Sequence, residues 1–216
     1  MQRIKYLIFD FDGVILDSNT IKDNAFKYLY KNYGKKFTKY VYDFHIKNRG
    51  VSRFEKFKVF HLKYYNKKIT KNKSDLLSKE LEDIILKKIL KCKYISGVKK
   101  FINLNYTNYS MSILSATPHE ELNKIFKEKK LDNYFKNIYG SPKSKDFYLN
   151  KIILKNKIKK NQILYFGDSD SDYLLSKKFK IQFVAVKNNF NLSLDSKVIK
   201  IDNFIKFNKI LKSLNN

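Results

Sequence analysis

Short apolar runs rich in β-branched and aromatic residues, separated by stretches with helical spacing, most narrow what this chain can fold into. KYLIFDF (5–11), SMSILSA (110–116), QILYFGD (162–168) and IQFVAV (181–186) read as buried strands, with a shorter one around 137–139. Between and after them lie TPHEELNKIFKEK with Pro118 near its first turn, a helix from about Lys145, SDYLLSKKF, and a closing helix IDNFIKFNKILKSL (201–214). Strands alternating with helices predict an α/β fold with a doubly wound parallel sheet covered on both faces. A helix from Asn19 to Tyr33, ended by Gly34, opens a different region. From Thr38 to Lys93, TKYVYDFHIKN, SRFEKFKVFHLKYY and SDLLSKELEDIILKKILKC repeat apolar residues every three or four positions, with no strand between them. This predicts an inserted all-helical cap: residues 1–16 and 95–216 as the α/β core, 17–94 as the cap. Phe26, Tyr30, Phe44, Phe54, Phe57 and Phe60 are its expected core. His45, His61 and His119 lack metal-ligand spacing and read as surface or interface residues.

Among 216 residues, 46 are Lys or Arg and 20 Asp or Glu, a formal net charge of +26. Such a balance attracts anions, but the lysines run from end to end rather than forming one basic face. Arginine, the better reader of phosphates and bases, occurs only as Arg3, Arg49 and Arg53. No specific nucleic-acid partner is therefore expected. The 43% hydrophobic and 16% aromatic content excludes a disordered chain. No apolar run approaches a membrane span, no signal peptide is visible, and the lone Cys92 makes no intrachain disulfide. A cytoplasmic protein is expected.

Against this basic background, two acidic clusters end two of the strands. FDFDG places Asp10 and Asp12 one residue apart, so both return to the same side of an extended chain. A carboxylate at a strand tip can attack phosphorus, and a neighbour on its side can act as general acid and then base. YFGDSDSD places Asp168, Asp170 and Asp172 at another strand tip. Hard oxygens of this kind suit Mg²⁺, although Asp170 reads better as an acid favouring a helix start. Ser115, ending the second strand, can hold phosphate oxygens with the amides of a helix start, or be a plain cap. Lys143 and Lys145 in GSPKSKDF, beside a helix start, could neutralise a phosphate.

In this order, D-x-D-G-V after the first strand, Ser at the end of a later strand, Lys before a helix and G-D-S-x-x-D after another strand resemble the haloacid dehalogenase superfamily over nearly the whole chain. The resemblance implies Asp10 as nucleophile, Asp12 as general acid/base, Ser115 and Lys145 as phosphate-binding catalytic residues, and Mg²⁺ as cofactor. It also implies that Asp10, Asp12 (through its backbone carbonyl), Asp168 and Asp172 surround the metal, and that Asp17 has no catalytic part. The helical insert is similar to the cap of the phosphoglycolate phosphatase and β-phosphoglucomutase branch. Within it Arg49 and Arg53, flanking Gly50, are expected to bind substrate. The reaction implied is Mg²⁺-dependent hydrolysis of a small phosphorylated metabolite, of sugar phosphate or phosphoglycolate type, through an aspartyl-phosphate. Mutase-type transfer and a non-catalytic binding protein that uses its basic surface are the alternatives.

Overall fold

The first strand sets the frame. β1 (Tyr6–Phe9) is buried along its whole length, and its side chains alternate between two cores: Leu7 and Phe9 face one, Tyr6 and Ile8 the other. The computed structural model describes residues 3–187, 190 and 192–215. After β1 the chain enters four helices, α1 (Asn19–Leu29), α2 (Lys35–Lys47), α3 (Arg53–Tyr65) and α4 (Lys71–Lys91). It then runs through α5 (Val98–Asn105), β2 (Ser110–Pro118), α6 (His119–Glu128), β3 (Asn137–Ser141) and α7 (Lys145–Asn156). β4 (Ile163–Gly167), α8 (Asp170–Phe179), β5 (Gln182–Val186), β6 (Ile199–Ile201) and α9 (Phe207–Ser213) complete it.

All strand pairings are parallel, in the order β3-β2-β1-β4-β5-β6. The chain winds outward from β1 in one direction to β3 and then in the other from β4 to β6. The crevice of such a sheet lies where the order reverses, at the C-terminal ends of β1, β2 and β4. On the Leu7–Phe9 face, α5, α6 and α9 contribute Phe101, Phe126 and Phe207; on the other, α7 and α8 contribute Ile152 and Leu175. At the centre Phe9 stacks on Phe166, ring centroids 4.7 Å apart, and Phe101 meets both edge-on.

The helical insert is tied at its neck. Asp17 N donates to Lys93 O at 2.9 Å and Ile95 N to Ile15 O at 3.0 Å, so the outgoing and returning chains run side by side. α1 packs on α2 and α4, α3 on α4, and α4 on α6. Ser52 and Thr70 cap α3 and α4 by accepting from Glu55 N and Lys73 N. Phe26, Tyr30, Phe57 and Phe60 are buried as expected, whereas Phe44 and Phe54 are only half-buried.

Two parts of the sequence reading need correction. The closing helix is shorter than its apolar spacing suggested: residues 199–201 pair with β5 as a sixth strand, and the helix begins only at Phe207. Helix α5 went unread, because its eight residues offer barely two turns of pattern.

Removing one ring of the central pair opens a cavity that the two-sided packing cannot refill. Phe166→Ala should cost about 3–5 kcal/mol, read as a lowered urea midpoint at unchanged m-value.

Candidate active site

Asp10 follows the last residue of β1, so its backbone continues the strand: its N–H donates to Phe166 O at 2.9 Å. It is 5% exposed, with Phe11 N donating to Oδ1 at 2.7 Å and Lys145 Nζ lying 3.1 Å from Oδ2. Lys145 is the first residue of α7, whose Ser144 cap accepts from Phe147 N. Its ammonium also donates to Asp172 Oδ1 at 2.6 Å, bridging the tips of β1 and β4. Lys143 instead lies exposed over the Phe147 ring, 4.3 Å from its centroid.

Asp168 follows Gly167 at the end of β4, and Asp172 stands in the first turn of α8. Both are buried, and with Asp10 they offer oxygens all within 4.8 Å of one another. The acids repel, and each is held differently. Burial pushes Asp10 well up, Lys145 opposes it, and Asp172, Asp168 and Asp12 add to the rise. Burial and then Asp172 push Asp168 up to about 7, against Asn19, which donates to its Oδ2 at 2.6 Å. Burial alone would raise Asp172 too, but Lys145, Ser169 and Tyr165, all donating to it, hold it below the usual carboxylate range. Three buried hard-oxygen groups with a single ammonium between them leave negative charge that a small divalent cation fits. Gly13, at φ +76°, is what allows so close an approach: a Cβ there would lie 2.0 Å from Asp168 Oδ2.

Asp12 points elsewhere. Lys22 donates to its Oδ2, as does Thr117 Oγ1 at 3.0 Å, and Ser18 donates to Oδ1 at 2.6 Å. Burial by itself would raise its carboxyl; Lys22, Ser18 and Thr117 outweigh burial and hold it low. Ser115 is buried, and its Oγ accepts from Thr117 N at 3.0 Å. Ala116 and Thr117, not Ser115, form the wall of the cavity above the acids. Asp17 is exposed and pairs with Lys187 at 2.7 Å.

The cavity has Asp10, Asp12 and Asp168 on the strand side and residues of α1 to α4 on the other, including Lys22, His45, Arg49, Arg53 and Lys56. Its volume is about 40 Å³, room for two or three waters. Gly50 closes its edge against the β4 tip, where a Cβ would fall 1.8 Å from Ser171 Oγ. Both arginines reach this cavity, already paired: Arg49 donates twice to Asp23, at 3.1 and 2.7 Å, and Arg53 Nη2 lies 2.7 Å from Glu121 Oε2.

His45, expected at the surface or at an interface, is not at the surface: it lines the cavity between the helical insert and the strand tips. It is 3% exposed, stacked on Phe26, with Nε2 3.1 Å from Asp23 Oδ1 and Nδ1 3.0 Å from Lys56 Nζ. Sequence reasoning also passed over Asn19, Lys22, Thr117, Asp23, Lys56, Glu121 and Tyr165. Asn19 and Lys22 were within reach, one turn apart at the start of the helix that follows the first motif; Thr117 was not, because the strand is irregular between Leu114 and Pro118. Nothing marks Lys56 among so many lysines.

Fold and site together define an α/β protein with a carboxylate crevice at the switch point of its sheet, covered by a helical insert. The model of the haloacid dehalogenase-like hydrolases matches residues 7–186, and the chain belongs to that family. No curated protein sequence matches it. Among similar solved structures is a predicted phosphoglycolate phosphatase from Haemophilus somnus 129PT, 17% identical over 97% of this chain and 99% of that one, TM-score 0.75. A β-phosphoglucomutase from Clostridium difficile is 18% identical over 98% and 97%, TM-score 0.75. CbbY from Rhodobacter sphaeroides, in complex with phosphate, is 9% identical over 94% and 96%, TM-score 0.73.

The buried histidine makes the helical layer sensitive to acid. Burial, with Lys56 next, lowers His45 to about 4 from its ordinary 6.5. Between those values the unfolded chain takes up a proton that the folded one refuses, so stability falls as pH falls. The loss is about 1.4 kcal/mol per unit and about 3 kcal/mol across the window. In urea titrations at pH 7 and 4.5, the wild-type midpoint should drop more than that of His45→Gln; equal drops would remove His45 as the cause.

Proposed function

We propose that the chain is a Mg²⁺-dependent phosphatase of small phosphorylated metabolites, working through an aspartyl-phosphate on Asp10. The observation that carries this is Asp10 itself: a buried carboxylate at a strand tip, with one oxygen held by Phe11 N and the other facing Lys145. Residues 17–94 are then a mobile cap. A cavity of about 40 Å³ is too small for a sugar phosphate, so the cap opens to admit one and closes to exclude bulk water.

An Asp10 oxygen attacks phosphorus as the ester P–O bond breaks, and the alcohol leaves with a proton from Asp12. Asp12, now ionised, takes a proton from a water that attacks the phosphorus, releasing inorganic phosphate and restoring Asp10. Mg²⁺, held by Asp10, Asp168 and Asp172 with the Asp12 carbonyl, would offset the charge that the acids and the phosphoryl group bring together. Lys145 orients Asp10 and Asp172. Lys22 and Thr117, which now hold Asp12 ionised, are placed to turn to the phosphoryl oxygens, which frees Asp12 to carry a proton. Ser115 supports this loop through its bond to Thr117 N. Arg49 and Arg53, on the cap side, meet the rest of the substrate with the donors their carboxylates leave free. Likeness to a β-phosphoglucomutase raises a second acceptor, a sugar hydroxyl in place of water; release of inorganic phosphate separates the two.

In phosphate-release assays with para-nitrophenyl phosphate, turnover should require Mg²⁺ and cease with EDTA. Asp10→Asn should lower kcat/KM by at least about 10³-fold and Asp12→Asn by about 10²–10⁴-fold. Turnover that survives Asp10→Asn would overturn the reading.

A further inference from the structure

Four cations line the cavity, and their charges are met unequally. Lys22 is paired with Asp12, Arg49 with Asp23, and Arg53 with Glu121. Lys56, in the first turn of α3, is 2% exposed, and among the described residues no carboxylate lies within ion-pair distance of it. Its partners are neutral: His45 Nδ1 at 3.0 Å and Arg49 O at 3.4 Å. Asp23 Oδ1 lies 3.1 Å from Nε2, which favours the tautomer protonated there and leaves Nδ1 to accept from Lys56. The Phe26 ring lies 5.2 Å from Nζ as well, and of the three ammonium donors two are used in hydrogen bonds.

A buried ammonium without an anion is costly and is driven toward the neutral amine; an arriving anion restores the charged form and is bound by it. Burial, followed by Lys22, pushes the Lys56 ammonium well below its ordinary range, and Asp12 and Asp23 offset only part of this. The space Lys56 lines is the one above Asp10, and the carboxylates on the strand side of that cavity are committed to Lys145, Asn19, and to Lys22 with Thr117.

We infer that Lys56 is a specificity-determining residue that receives a second anionic group of the substrate, so that the preferred substrates are phosphomonoesters carrying a carboxylate or a further phosphate. This rests on the phosphatase reading above. The His45 and Asp23 pair serves as its mount: Asp23 fixes the imidazole tautomer, and the imidazole fixes the ammonium.

The test uses matched esters that differ by the second charge: 2-phosphoglycolate against ethyl phosphate for a carboxylate, and glucose 1,6-bisphosphate against glucose 1-phosphate for a phosphate. Wild-type kcat/KM should favour the doubly charged member of at least one pair by about 10- to 100-fold, the worth of one charge-assisted bond; the pair that shows it names the group. Lys56→Met should collapse that ratio toward one, chiefly through KM, and Lys56→Arg should keep most of it. Lys56→Gln, which retains a donor for His45 but no charge, should behave like Lys56→Met and serves if the latter does not fold. Wild-type turnover without preference in either pair, or a preference untouched by Lys56→Gln, overturns the assignment and leaves the phosphatase intact. Absence of Asp10-dependent turnover of every ester removes the phosphatase reading, and this assignment with it.

Discussion

The like charge gathered at the ends of β1 and β4 is the constraint on which the rest of the site depends. Asp10, Asp168 and Asp172 lie within 4.8 Å of one another, all buried. Burial costs each of them its hydration, and proximity adds repulsion. Lys145 is the main counterweight inside the protein: it reaches Asp10 at 3.1 Å and Asp172 at 2.6 Å, and although burial opposes it, those two acids raise its pKa. The cluster is thus a site kept short of positive charge. That imbalance is what a divalent cation would offset.

The helical side of the cavity answers with the opposite sign, and there the balance is close. Arg49 and Arg53 already have their carboxylates, so among the described residues the wall is nearly neutral except at Lys56. Phe26 links this polar layer to the hydrophobic one, stacking on His45 while its ring packs with Phe57 and Phe60. A polar cluster of this kind gives the wall one geometry rather than several, because a misplaced member would leave a buried donor or acceptor unmet.

The legible parts share a physical cause. Strands β1, β2, β4 and β5 were visible because residues buried on both faces make continuous apolar runs, and their tips were visible because acids interrupt those runs. Asp10, Asp12, Asp168 and Lys145 stand where the strand and helix ends indicated. Illegible were short elements and long-range partners. β6 has three residues and takes its identity from pairing with β5, which no local pattern records. His45 reads from sequence only as a surface or interface residue, because it sits in a helical stretch without metal-ligand spacing. Its burial comes from Asp23, 22 positions away, and Lys56, 11 positions on.

By itself, then, the sequence determined the sheet-and-cap plan and the residues at the strand tips, since burial pattern and turn chemistry are local properties. Only the tertiary structure decided which charge meets which. Lys145 rather than Lys143 faces Asp10, Thr117 rather than Ser115 faces the cavity, and Arg49 and Arg53 come already paired. Coulomb interactions fall off over a few ångströms and ignore chain distance. In a chain with 46 basic residues, therefore, the fold alone shows that, among the described residues, Lys56 is the basic side chain of the cavity without a carboxylate at ion-pair distance.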